Sequence, residues 1–135
     1  MNINLSELIE FTRSLNILFV EDNDDVRNQL LKFLKNFFNE IDVAFDGVDA
    51  FDKFQKNQTK YNLVITDISM PRLDGIELSK KIMNLNINQK IIIVSAHTEA
   101  DKLNKLKEIG VFDILQKPVG YNNLIDSLEK LYNLY

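Results

Sequence analysis

Five short apolar runs, each followed by a segment of helical period, restrict what this 135-residue chain can fold into more than any other feature. The runs are NILFV (16–20), IDVAF (41–45), NLVIT (62–66), KIIIVS (90–95) and VFDIL (111–115). Between them, Val26, Leu30, Phe33, Leu34, Phe37 and Phe38 recur at steps of three and four over 24–38. The matching stripes are Val48, Phe51 and Phe54 over 47–57, Ile76, Ser79, Ile82 and Met83 over 75–86, and Leu103, Leu106 and Ile109 over 98–109. A last stripe, Leu124, Ile125, Leu128, Leu131 and Tyr132, spans 121–134. Strands that are apolar throughout, alternating with amphipathic helices, predict an α/β fold: a parallel sheet covered on both faces. Crossovers in such sheets are right-handed. Ligands bind outside the carboxyl ends of the strands, near the point where strand order reverses. Chemistry is therefore to be sought just after each run.

The segment NLSELIEF (4–11) precedes this alternation and predicts one or two helical turns, with Asn4 as cap and Glu7 three residues on. It divides the chain into an N-terminal extension over 1–14 and a domain over 15–135. Composition excludes several function classes. No apolar run approaches the roughly 20 residues that span a bilayer, and MNINLSELIEF lacks the basic and long apolar regions of a signal peptide. The absence of cysteine removes disulfides and thiolate metal sites. A net charge of −4 gives no nucleic-acid footprint. A cytoplasmic protein fits these features.

The first run leads into EDNDD, Glu21 through Asp25; the third ends at Asp67, the fourth at Ser95, and the fifth runs into Lys117-Pro118. On the predicted sheet these carboxylates, a hydroxyl and an ammonium converge on one crevice. Two carboxylates about 4 Å apart repel by roughly 4 kcal/mol at an effective dielectric near 20. That repulsion is relieved by proton uptake or by a cation. An all-oxygen site with few protein ligands and room for water suits Mg2+. The loop after the first strand holds no glycine, and neither GxGxxG nor GxxxxGK[ST] occurs, so a metal-free phosphate cradle is not expected.

With FVEDN after the first strand, ITDISMPRLDG around the third, VSAH at the fourth and LQKPV at the fifth, the sequence resembles the receiver domains of bacterial two-component response regulators over about residues 15–134. The resemblance implies a flavodoxin-like doubly wound five-stranded parallel sheet in the order 2-1-3-4-5. It implies Asp67 as the acceptor of a phosphoryl group from a phosphohistidine on a histidine kinase or histidine phosphotransfer protein. Mg2+ would be held by Asp22, by Glu21 through water, by Asp67 and by the backbone carbonyl of Ser69. Lys117 would pair with phosphoryl oxygens, Ser95 would be the switch donor, and the Lys117–Pro118 bond is usually cis in this family. The surface read by a partner, an output domain or a second copy in a homodimer would be roughly 98–134. The only catalysis implied is self-phosphorylation and slow autodephosphorylation.

Three positions depart from the family pattern. Ile114 stands where Tyr or Phe is common, three before the lysine; Phe112, two residues earlier, would share its strand face. Glu21 replaces a common Asp, and Val119 a frequent Phe. His97, the single histidine, borders the site or lies on a loop; Tyr121, Tyr132 and Tyr135 are expected to pack or to form interface. Ile114 motivates an alternative, a receiver-like interaction module that works without phosphorylation. A Mg2+-dependent phosphatase of the haloacid-dehalogenase type would need an Asp two residues after the nucleophile, where this chain has Ser69.

Overall fold

A computed structural model describes residues 3–96 and 99–135. The elements in order are α1 (Leu5–Arg13), β1 (Asn16–Val20), α2 (Asp24–Leu34), β2 (Glu40–Ala44), α3 (Gly47–Lys56), β3 (Leu63–Thr66), α4 (Gly75–Leu85), β4 (Lys90–Ser95), α5 (Ala100–Ile109), β5 (Asp113–Gln116) and α6 (Tyr121–Tyr132). The five strands form one sheet in the order β2-β1-β3-β4-β5, every pairing parallel. This is the doubly wound arrangement expected, with order reversing between β1 and β3.

Alternation along the strands divides the core in two. Leu18, Val20, Val64, Ile91 and Ile93 face one side, where Ala50, Phe54, Leu78, Ile82 and Leu106 from α3, α4 and α5 cover them. Ile17, Phe19, Leu63, Ile65, Ile92 and Val94 face the other, under Leu8, Leu34, Leu124, Leu128 and Leu131 from α1, α2 and α6. Both faces are buried over the central strands β1, β3 and β4, which is why these read as near-continuous apolar runs, while the edge strands β2 and β5 carry the partly exposed Asp42 and Asp113.

Asn4, Asn23, Asp46 and Asp74 start α1 to α4, each accepting a hydrogen bond from the backbone N–H three residues on. The helix α5 stops at Gly110, whose φ of 94° is a left-handed conformation that glycine adopts without strain.

The structure corrects four details. The helix α2 ends at Leu34; Phe37 and Phe38 continue the stripe from the following turn, where both amides donate to the Leu34 carbonyl and both rings are buried. Val48 is exposed; Phe54 is buried and Phe51 packs beside it, while the small Gly47 and Ala50, also buried, bring the backbone of α3 close to its neighbours. The strand β5 begins only at Asp113, so Phe112 precedes the alternation and packs in the second cluster while Ile114 packs in the first. The two do not share a face. Finally, α1 is nine residues long and contributes to the core: Leu8 is buried, the Thr12 hydroxyl donates to the Phe37 carbonyl (2.6 Å), and Phe11 meets the edges of Tyr132 and Tyr135.

Candidate functional site

Strand register assembles the site. Val20 lies opposite Ala44 on one side and Thr66 on the other, so the next residues, Glu21 and Asp67, leave adjacent strands together. Ser95 ends β4 opposite Gln116, and the Lys117 amide donates to the Ser95 carbonyl (2.8 Å). The ammonium of Lys117 then donates to Glu21 Oε1 (2.9 Å) and to Asp67 Oδ2 (3.1 Å). The Lys117–Pro118 peptide is cis.

Glu21, Asp22 and Asp67 each present a carboxylate oxygen within 4.8 Å of the others. The Glu21 side chain is buried and that of Asp67 is only 12% exposed, so solvent screens the cluster poorly. One ammonium against three carboxylates leaves the crevice negative. Burial, a hydrogen bond with Glu21 and the charges of Glu21 and Asp67 push the Asp22 carboxyl above its usual pKa. Burial acts to lower the pKa of Lys117, but its bonds to Glu21 and Asp67 and their charges outweigh that and raise it.

The loop after β3 fixes Asp67. Its amide donates to the Val20 carbonyl, Ile68 N–H donates back to Asp67 Oδ1 (2.7 Å), and Gly75 N–H donates to the Ile68 carbonyl (2.7 Å). An open cleft of about 460 Å³ beside the cluster is lined by Asp22, Ile68, Ser69, Met70, Pro71, Asp74 and Lys102. Charged and polar residues on this lining, together with water-sized room, meet the requirement for an ion that keeps part of its hydration.

The structure thus gathers Glu21, Asp22, Asp67 and Lys117, sets Ser69 on the adjoining cleft, and leaves Ser95 buried at the end of β4. His97 lies outside the described residues. Tyr121 packs on Phe37 and Tyr132 on Phe11, consistent with packing roles.

Several rim residues carry no signal in the sequence pattern. Arg27 donates to the Glu21 carbonyl (3.1 Å) and to Asp24 (2.5 Å). Arg72, at φ 67°, pairs with Asp46 across two loops, and Lys102 lines the cleft. The Arg27–Asp24 spacing is a local helix pair visible in DDVR, but a contact to a loop carbonyl leaves no mark in residue types. Hydrogen bonding from the Asp49 amide, with Arg72 beside it, holds the Asp46 carboxyl below its usual pKa despite some burial.

Comparison with known proteins agrees with this geometry. The response regulator receiver domain family matches residues 17–129. The chain is 30% identical over 113 residues to the chemotaxis protein CheY of Treponema pallidum, covering 83% of this chain and 78% of that protein. It is 32% identical over 123 residues to the transcription factor prr1 of Schizosaccharomyces pombe, covering 90% of this chain but 22% of that protein. Among solved structures, a CheX–CheY–BeF3–Mg2+ complex from Borrelia burgdorferi superposes with a TM-score of 0.79 at 28% identity, covering 87% of this chain and 89% of that one.

Proposed function

From the premise that the chain belongs to the response regulator receiver domain family, we propose that Asp67 is its phosphoacceptor and that residues 98–134 carry the response to a partner. Receiver domains are signalling modules that interact with histidine kinases, phosphotransfer proteins and output partners. The observation that carries the proposal is the single cluster of Glu21, Asp22, Asp67 and Lys117 at the carboxyl edge of the sheet.

In the proposed reaction an Asp67 carboxylate oxygen attacks phosphorus and forms a P–O bond. The P–N bond of a phosphohistidine breaks, and the imidazole nitrogen leaves with the electron pair and takes up a proton. Both reactants are anionic, so charge is the principal obstacle. Receiver domains bind Mg2+ at an acidic pocket, and here Asp22, Asp67 and the Ser69 carbonyl would hold it directly, with Glu21 acting through water. When bound, Mg2+ supplies positive charge to the phosphoryl oxygens. The Borrelia complex contains BeF3 and Mg2+, an anion and a divalent cation of the kind this chemistry requires.

Lys117 adds a second positive charge. It holds Glu21 and Asp67 before transfer and turns toward the new phosphoryl oxygens after it, as a flexible point charge can. Ser95 donates its hydroxyl to a phosphoryl oxygen once the group is present. Its carbonyl already holds the Lys117 amide, so a shift at β4 is passed to β5 and α6. Ile114 offers no ring to swing. A module that dispenses with phosphorylation would have no use for a buried, mutually repelling acidic cluster.

Acetyl phosphate with Mg2+ tests the assignment. Wild-type protein is expected to gain an acid-stable, alkali-labile phosphoryl group, and Asp67→Asn is expected to gain none. Equal labelling of the variant removes Asp67 as acceptor.

A further inference from the structure

Arg27 is a cation beside the acidic cluster that the reaction above does not use. Its side chain is only 11% exposed, although its charged partner Asp24 is 82% exposed and offers no reason to bury it. Its other arm reaches the Glu21 backbone carbonyl. Phe45, the residue after β2, covers the guanidinium at 4.7 Å from ring centroid to Cζ. This ring stays 57% exposed.

Phe45 is itself held. Its amide donates to Asp49 Oδ2 (3.0 Å), which also accepts from Lys53 Nζ (2.9 Å), and Lys53 lies 5.5 Å from the same ring. The ring therefore has two cations within cation–π distance of its centroid.

The Glu21 carbonyl belongs to the peptide unit that joins the two acidic residues of the loop. Its other neighbours are already fixed: Glu21 N–H donates to the Ala44 carbonyl, and Asn23 N–H donates to Glu21 Oε2 (3.1 Å). Rotation of the Glu21–Asp22 peptide is one freedom that these bonds leave, and together with the hydrogen bond between the Asp22 and Glu21 carboxyls it sets where the Asp22 carboxylate points. We propose that Arg27, clamped under Phe45, is a positioning residue that sets this peptide plane and so aims Asp22 into the cluster. The proposal rests on the assignment of Asp22 as a metal ligand.

The test is a calorimetric Mg2+ titration of the full chain, with amide hydrogen exchange at Glu21 to Asn23 measured without divalent ions. Loss of a partner that orients a ligand weakens metal binding by about 10-fold or more. Removing a positive charge near three carboxylates would by itself tighten Mg2+ binding, so the two explanations differ in sign. Arg27→Gln is expected to bind Mg2+ about 10-fold more weakly and to exchange these amides faster, while labelling from acetyl phosphate recovers at saturating Mg2+. Phe45→Leu, which keeps apolar cover but loses the π face, is expected to shift both in the same direction by less. Binding by Arg27→Gln that is unchanged or tighter, or unchanged exchange in the loop, overturns the proposal. Should Arg27→Gln not fold, Arg27→Lys keeps the charge but not the two-armed fork, and the same weakening is expected. Wild-type protein that neither binds Mg2+ nor accepts a phosphoryl group refutes the metal-ligand assignment instead, and the exchange experiment still reports whether Arg27 holds the loop.

Discussion

A Cβ added at Gly75 would lie 2.1 Å from the Asp67 carbonyl oxygen and 2.9 Å from Ile68 Cα. Both obstacles are backbone, so neither can rotate away. Gly75→Ala must therefore push the phosphoacceptor loop off the start of α4. A loss of about 1–3 kcal/mol in urea unfolding is expected, the usual cost of overpacking, along with slower labelling from acetyl phosphate. Full stability together with full labelling would show that this close approach does not position Asp67. At this scale Glu21, Asp22, Asp67 and Lys117 were legible because strand ends in parallel sheets fall on one edge. Arg27 was not, because its target is a carbonyl whose direction depends on the folded loop.

At the level of elements, the edge strand β2 shows how a charge is fixed to a sheet. Asp42 accepts hydrogen bonds from Lys60 Nζ (2.8 Å) and Tyr61 Oη (2.7 Å). Those bonds hold its carboxyl below the usual pKa, against some burial. Burial and the same Asp42 bond push the Tyr61 phenol upward, so it stays protonated across the ordinary range. A carboxyl with a folded pKa below its unfolded value of about 3.9 stabilises the fold above that value. The contribution disappears as pH falls through the folded pKa. Asp42→Asn is expected to cost roughly 0.5–1 kcal/mol at pH 7, a figure discounted for a side chain 40% exposed. The gap to wild type should close below about pH 4. A gap that persists at pH 2 assigns the loss to packing rather than to charge. Element order was legible because the runs of β1, β3 and β4 are buried on both faces and the edge runs still alternate with helical stripes, whereas ends were less so. Phe37 and Phe38 extend a helical stripe from a turn, and Phe112 extends a strand-like run that begins one residue later.

Over the whole molecule, the N-terminal helix is the part that sequence pattern described least well. Its stripe is short and lies outside the alternation, so nothing in the sequence reveals what it packs against. In the structure Leu8 is 1% exposed within the cluster that contains Phe37, Leu128 and Leu131. Leu8→Ala is expected to lower stability by about 2–4 kcal/mol in urea unfolding, as for other buried leucines. A loss below about 0.5 kcal/mol, the level of surface substitutions, would mean that α1 rests on the domain without supporting it. No helix among the described residues is long and apolar enough to cross a membrane.

The sheet's two buried faces deliver several strand ends to a single edge, and the proposed function lies in what that edge does. Site-resolved mass spectrometry after exposure to a small phosphodonor, with and without Mg2+, tests it most directly. One phosphoryl group on Asp67, present only with the divalent ion, is the result expected. A group on another residue, or none with Mg2+ in excess, contradicts it.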